Sequence, residues 1–167
     1  MKWYSRFESK SEGSWSTFYF RKSVRSTYRL DKSEIDQKYN TLKSLNFKNV
    51  HIPNFSYEIK DYEIIYHIEY VKGKQLNPLS YMIHANTIYD SLINNENEWG
   101  FHDLKCENFI TEIDTDKLYF VDFESFEWMT HSQKIEYYNK SIEHVLDNLN
   151  RMRKNIYKFS KHSSWPN

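Results

Sequence analysis

Apolar and polar positions change period several times along the chain, and each change predicts an element. Residues 3–8 and 15–22 alternate aromatic with polar side chains around the polar stretch Ser9–Ser14, which predicts a β-hairpin with a polar loop. Ser33-Glu34-Ile35-Asp36 resembles a capping box, and Ile35, Tyr39, Leu42 and Leu45 follow at helical spacing, so a helix is expected over about 34–46. Pro53 follows after a connector, and Tyr62–Val71 reads as a strand ending near Gly73. Pro78 opens a second helix, with Leu79, Met82, Ile83, Tyr89, Leu92 and Ile93 on its expected apolar side. Phe109–Ile113 and Leu118–Phe123 read as a second hairpin turning at Asp114-Thr115-Asp116-Lys117. Ile135, Tyr138, Ile142, Val145, Leu149, Met152 and Ile156 then predict a long closing helix, capped near Thr130 or Ser132. The order gives an α+β fold with a boundary between two lobes near Val71–Leu76, dividing 1–72 from 73–167.

Composition adds to this picture in three ways. Fourteen Tyr, eleven Phe and five Trp supply a core in a chain whose apolar share is only 39%, which argues against disorder. Three glycines weaken any glycine-loop motif in advance, and a single cysteine, Cys106, excludes an internal disulfide framework and a cysteine-rich zinc site. No run approaches 18 apolar residues, so no membrane span is expected. The start of the chain has no apolar secretion signal, and a cytoplasmic location is the expectation.

Net charge is zero, but unevenly spread: +6 over residues 1–50, −10 over 51–127 and +4 over 128–167. A balanced total weighs against a sequence-independent nucleic-acid binder. A basic first part and an acidic middle suit anionic phosphates on one side and a divalent cation on the other. Seven histidines show no i, i+4 zinc-helix spacing with Glu, and no G-x-S-x-G elbow is present.

The informative segment is Trp99-Gly100-Phe101-His102-Asp103-Leu104-Lys105-Cys106-Glu107-Asn108, followed by Tyr119-Phe120-Val121-Asp122-Phe123-Glu124. It resembles the protein-kinase-like superfamily, in the catalytic loop H-R-D-L-K-x-x-N and the metal-binding D-F-G. Asp103, Leu104, Lys105 and Asn108 match by type and spacing, and Asp122-Phe123 follows Asn108 across a hairpin. Asp-Phe-Glu is similar to the choline-kinase and aminoglycoside-phosphotransferase branch, whereas Leu-Lys-x-Glu-Asn is similar to Ser/Thr kinases. The resemblance implies a reduced bilobal kinase-like fold, with a small β-rich N-lobe and a truncated helical C-lobe. It implies an ATP- and magnesium-dependent phosphotransferase acting on a hydroxyl. The Asp-Phe-Glu tripeptide and the missing A-P-E segment favour a small molecule or sugar as acceptor over a protein.

Phosphoryl transfer requires positioned groups and neutralised charge more than covalent chemistry by the protein. By the resemblance, Asp103 is the catalytic base, Lys105 stabilises the transferred phosphate, and Asn108 and Asp122 are the metal ligands. Ile68-Glu69-Tyr70-Val71 resembles the hinge, where the backbone at Glu69 and Val71 pairs with adenine. The strand lysine that anchors the nucleotide falls in Phe18-Tyr19-Phe20-Arg21-Lys22, where Arg21 and Lys22 point to opposite faces and Lys22 is favoured.

The pattern also departs from the family. Phe101 stands where the family has His, and His102 reads as a loop residue. The phosphate loop shrinks to Ser11-Glu12-Gly13-Ser14, Glu124 replaces the family glycine, and Lys38 occupies the place of the helix glutamate, leaving Glu34 or Asp36 as the acid for the strand lysine. Missing parts of the acceptor lobe leave that site open or completed by a partner or second copy. A pseudokinase-type module that binds nucleotide or a partner without turnover is the alternative reading. A binding domain unrelated to kinases would require the motif match to be coincidence.

Overall fold

In the computed structural model, backbone is described for residues 4–12 and 15–162, and side chains for residues 21–157. The chain is α+β. β1 (Tyr4–Glu12) and β2 (Trp15–Arg25) pair antiparallel in register from Tyr4↔Ser23 to Glu12↔Trp15. The polar run Ser9–Glu12, expected as loop, is therefore strand. β1 lies at the edge of its sheet, where polar side chains are tolerated. Gly13 and Ser14, half of the expected phosphate loop, lie outside the described residues.

Helix α1 (Lys32–Ser44) begins earlier than its pattern predicted. Asp31, rather than Ser33, caps it, accepting from Ser33 N–H at 2.8 Å and Glu34 N–H at 3.3 Å. β3 (Val50–His51) follows. β4 (Phe55–Lys60) and β5 (Glu63–Glu69) then form an antiparallel hairpin turning at Asp61-Tyr62. Residues 54–61, for which no element was expected, thus hold a strand, and the alternation of Phe55, Tyr57 and Ile59 with polar residues was its signal. β2 pairs with β5 in the register Lys22↔Tyr66, giving a sheet ordered β1-β2-β5-β4.

β6 (Gly73–Gln75), α2 (Pro78–Ile88), β7 (Trp99–Phe101), β8 (Phe109–Glu112), β9 (Leu118–Phe120), β10 (Phe126–Trp128) and α3 (His131–His162) complete the chain. A second sheet runs β3-β9-β8-β6, and β7 pairs with β10. β3 precedes the expected boundary yet pairs parallel with β9. Gly73 is required where β6 meets β8, because a Cβ there would lie 2.1 Å from Thr111 O.

Two helices correct the expected core. On α2 the buried side is Tyr81, Ala85 and Ile88, whereas Leu79 and Ile83 are 63% and 74% exposed. Apolar residues occur all around this helix, so periodicity alone left its phase open. On α3, Thr130 caps the helix with Gln133, and Val145 is buried, but Met152 and Ile156 are exposed where the helix outruns the body. No described helix is long and apolar enough to cross a membrane.

One hydrophobic cluster joins both sheets. Phe123 is fully buried in it: its ring stacks on Phe55 at 4.1 Å and meets Tyr66 at 5.9 Å and Tyr39 at 6.2 Å. The Tyr39 and Tyr66 hydroxyls share a 2.6 Å hydrogen bond, so both rings bury without an orphaned polar tip. This aromatic group fixes the chain just after β9 against α1, β4 and β5.

Candidate functional site

The segment Asp103–Asn108 is held from below. Leu104 is fully buried, and its carbonyl accepts from the Tyr81 hydroxyl of α2 at 2.8 Å. A short helical turn over Cys106–Asn108 brings Asn108 back onto the loop, where its Nδ2 donates to Asp103 O at 2.8 Å. The same Nδ2 lies 3.4 Å from Asp122 Oδ2, and Val121 N–H donates to Asn108 O at 2.9 Å. Asn108 therefore ties the loop to the end of β9, and with Nδ2 spoken for, its Oδ1 is the atom left to face a cation.

Asp122 sits at the entry to a tight turn over Phe123–Ser125. Burial, the neighbouring Glu124 carboxylate and Asp103 push its carboxyl up to about 7, against the opposing pull of Lys22. Lys22 Nζ lies 3.6 Å from Asp122 Oδ1 and makes a closer ion pair with Glu124 Oε1. Of the two strand candidates, Lys22 is thus the one that reaches the carboxylates. Arg21 faces the other way in the period-two alternation of β2.

At the mouth, Lys105 Nζ is 3.1 Å from Asp103 Oδ1, and that carboxylate holds the ammonium above its ordinary range. Both side chains are open to solvent, so their attraction contributes little to stability and leaves Asp103 free to engage a ligand. The Cys106 thiol is buried and shifted upward by that burial, which makes it a packing residue rather than a nucleophile. His102 is a half-exposed loop residue, as expected, with Nδ1 3.3 Å from Glu127.

The structure gathers Lys22, Asp103, Lys105, Asn108 and Asp122 in one place. Glu69 and Val71 lie apart, at the end of β5 and just beyond it. Glu69 is engaged with Asn54, donating its N–H to Asn54 O at 2.8 Å and accepting Asn54 N–H on its carboxylate at 3.1 Å. Val71 is buried, and no described contact links either residue to the carboxylates.

Neither acid expected for Lys22 meets it. Asp36 accepts from the Tyr57 hydroxyl at 2.7 Å, and Glu34 is exposed in the first turn of α1. Sequence reasoning missed three contributors: Tyr81, Lys38 and Glu124. Lys38 is largely buried, which pulls its ammonium down from the ordinary range, and Nζ donates to Glu124 O at 2.6 Å. The signal for these two was the pair of departures themselves, a lysine where the family pattern has an acid and an acid where it has glycine.

Asn108 and Asp122 present hard oxygens on adjacent elements, the donor type magnesium takes when phosphates complete its shell. Among the described residues no cluster of three or more His, Cys, Asp or Glu forms a self-sufficient metal cage. Neither a family model nor a curated protein matches this chain.

Proposed function

We propose that the protein is a kinase-like phosphotransferase that uses ATP with magnesium and transfers the γ-phosphoryl group to a hydroxyl. The observation that carries this reading is the convergence of Lys22, Asn108 and Asp122, from one strand and two turns far apart in sequence, beside the carboxylate of Asp103. Each has the type and place that the loop and Asp-Phe motifs require for phosphoryl transfer.

In this scheme Lys22 would hold the nucleotide phosphates, and Asn108 and Asp122 would hold a divalent cation, whose chemistry there would be neutralisation of phosphate charge. Asp103 orients the acceptor hydroxyl. As its oxygen forms the new bond to the γ-phosphorus, the bond to the ADP oxygen breaks and the hydroxyl proton passes to Asp103. Lys105, paired to Asp103 in the absence of substrate, turns its ammonium to the transferred group. Glu69 and Val71 border the strand end that would receive adenine. The Asp-Phe-Glu tripeptide favours a small-molecule or sugar acceptor.

The test is nucleotide turnover measured with a panel of sugar and amino-alcohol acceptors. Wild type should release ADP with an acceptor and magnesium present. Asp103→Ala should lose about 100-fold or more in rate while still binding ATP, since a general base contributes roughly that much. Binding without turnover on any acceptor would leave a nucleotide-binding module instead.

A further inference from the structure

The strand lysine of the kinase pattern is fixed by a glutamate from the neighbouring helix. Here α1 presents Lys38 at that position, so the helix brings a cation toward Lys22 rather than an anion. Two cations, Lys22 and Lys38, instead meet the turn that carries Asp122 and Glu124. Glu124 brings a carboxylate to Lys22. Its Oε1 meets Lys22 directly, both of its oxygens are withheld from water, and its carboxylate lies against the Asp122 carboxyl. A carboxylate this enclosed is tolerable only while its cation stays in place, because a buried charge without its partner is strongly penalised.

The backbone of Glu124 is tethered as well. Lys38 Nζ binds its carbonyl at 2.6 Å, and the preceding Phe123 ring is locked between Phe55, Tyr66 and Tyr39. Glu124 lies two residues beyond Asp122, so one turn carries both the cation ligand and the counter-charge of the phosphate anchor.

Resting on the nucleotide reading above, we infer that Glu124 is the positioning residue for Lys22, with Lys38 serving as the clamp on that turn. The helix glutamate is thereby replaced by a carboxylate from the turn after β9, and α1 acts on Lys22 through that turn, by way of Lys38 and Tyr39.

The experiment is calorimetric binding of MgATP and of adenosine to wild type, Glu124→Gln, Glu124→Asp, Lys22→Ala and the Lys22→Ala/Glu124→Gln double variant, each checked for a cooperative melt. Glu124→Gln should weaken MgATP by about tenfold or more, since breaking one side of an enclosed charge pair costs at least that. Adenosine affinity should stay within about twofold, because adenosine has no phosphate for Lys22 to hold. Glu124→Asp should fall between, and the double variant should bind MgATP no more weakly than Lys22→Ala alone. Should Glu124→Gln not fold, Glu124→Asp alone and combined with Lys22→Ala carries the same non-additivity test. Unchanged MgATP affinity in Glu124→Gln, equal losses for adenosine and MgATP, or additive losses in the double variant would overturn the inference while leaving the nucleotide site standing. Failure of wild type to bind MgATP would instead overturn the nucleotide reading, and the inference with it.

Discussion

The two ends of β9 carry similar letters and opposite physics. Before it, Asp114-Thr115-Asp116-Lys117 forms an exposed turn that settles its own polar groups: the Thr115 hydroxyl donates to Glu112, and Asp116 N–H donates to Glu112 O at 3.0 Å. After it, Asp122-Phe123-Glu124 has the same acid-x-acid spacing. There Phe123 is fully buried, the Asp122 carboxyl is pushed up to about 7, and Glu124 is enclosed with Lys22. Acids that water can solvate make a turn. Acids withheld from water, and held by lysines and an asparagine drawn from other elements, make a candidate site.

The largest expected contrast is in ligand binding. Asp122→Ala should weaken MgATP by about 100-fold or more, since it removes the carboxylate proposed to hold the cation beside Asn108. Asp114→Ala should leave the affinity unchanged in the same titration.

Stability separates the two ends next. Phe123→Ala should cost about 3–5 kcal/mol in denaturant unfolding, the range for emptying a fully buried aromatic position. Lys117→Ala, in the exposed turn, should stay within about 0.5 kcal/mol.

The response to pH is a smaller effect with a definite sign. Asp122 titrates near 7 in the folded chain and at the ordinary 3.8 when unfolded, so the folded state holds the extra proton between those values. Its contribution to stability is fully present below about pH 4 and is lost as pH rises through about 7. Asp122→Asn should therefore melt a few degrees above wild type at pH 8 and lose that advantage near pH 4. Added magnesium should narrow the gap at pH 8, by favouring the ionised wild-type carboxylate.

The smallest effect belongs to the exposed turn. Asp116 has φ 55°, a left-handed conformation in which glycine carries no Cβ penalty. Asp116→Gly should raise stability by up to about 1 kcal/mol without altering MgATP binding, as a melting curve and a titration would show.

How far the sequence could be read follows the same division. That Asp103, Asn108 and Asp122 belong together was legible from their types and spacing, and local turns bring them together. The alternation in β2 narrowed the anchor to Arg21 or Lys22, but only the pairing with β5 decided which one faces the turn. Glu124 was visible as a departure, yet its partner lies in β2, about a hundred residues earlier. No periodicity encodes a contact of that range. The β4 strand was readable from the alternation of Phe55, Tyr57 and Ile59, although no element was expected between Pro53 and Tyr62. The phase of α2 was not readable, because its apolar residues surround the axis and packing against α3 chooses among them. For Tyr81, a buried tyrosine reads as core, and its hydroxyl contact with Leu104 O depends on tertiary placement.

The account rests most directly on where a divalent ion sits when it comes with ATP. Titrating the isotopically labelled protein with Mn2+ and ATP, and following paramagnetic loss of amide signals, locates it. The account predicts that signals of Asp103–Asn108 and Val121–Glu124 vanish first, that they do so only with ATP present, and that those of Asp114–Lys117 persist. Signals lost first at Asp114–Lys117, or lost equally with and without ATP, would contradict it.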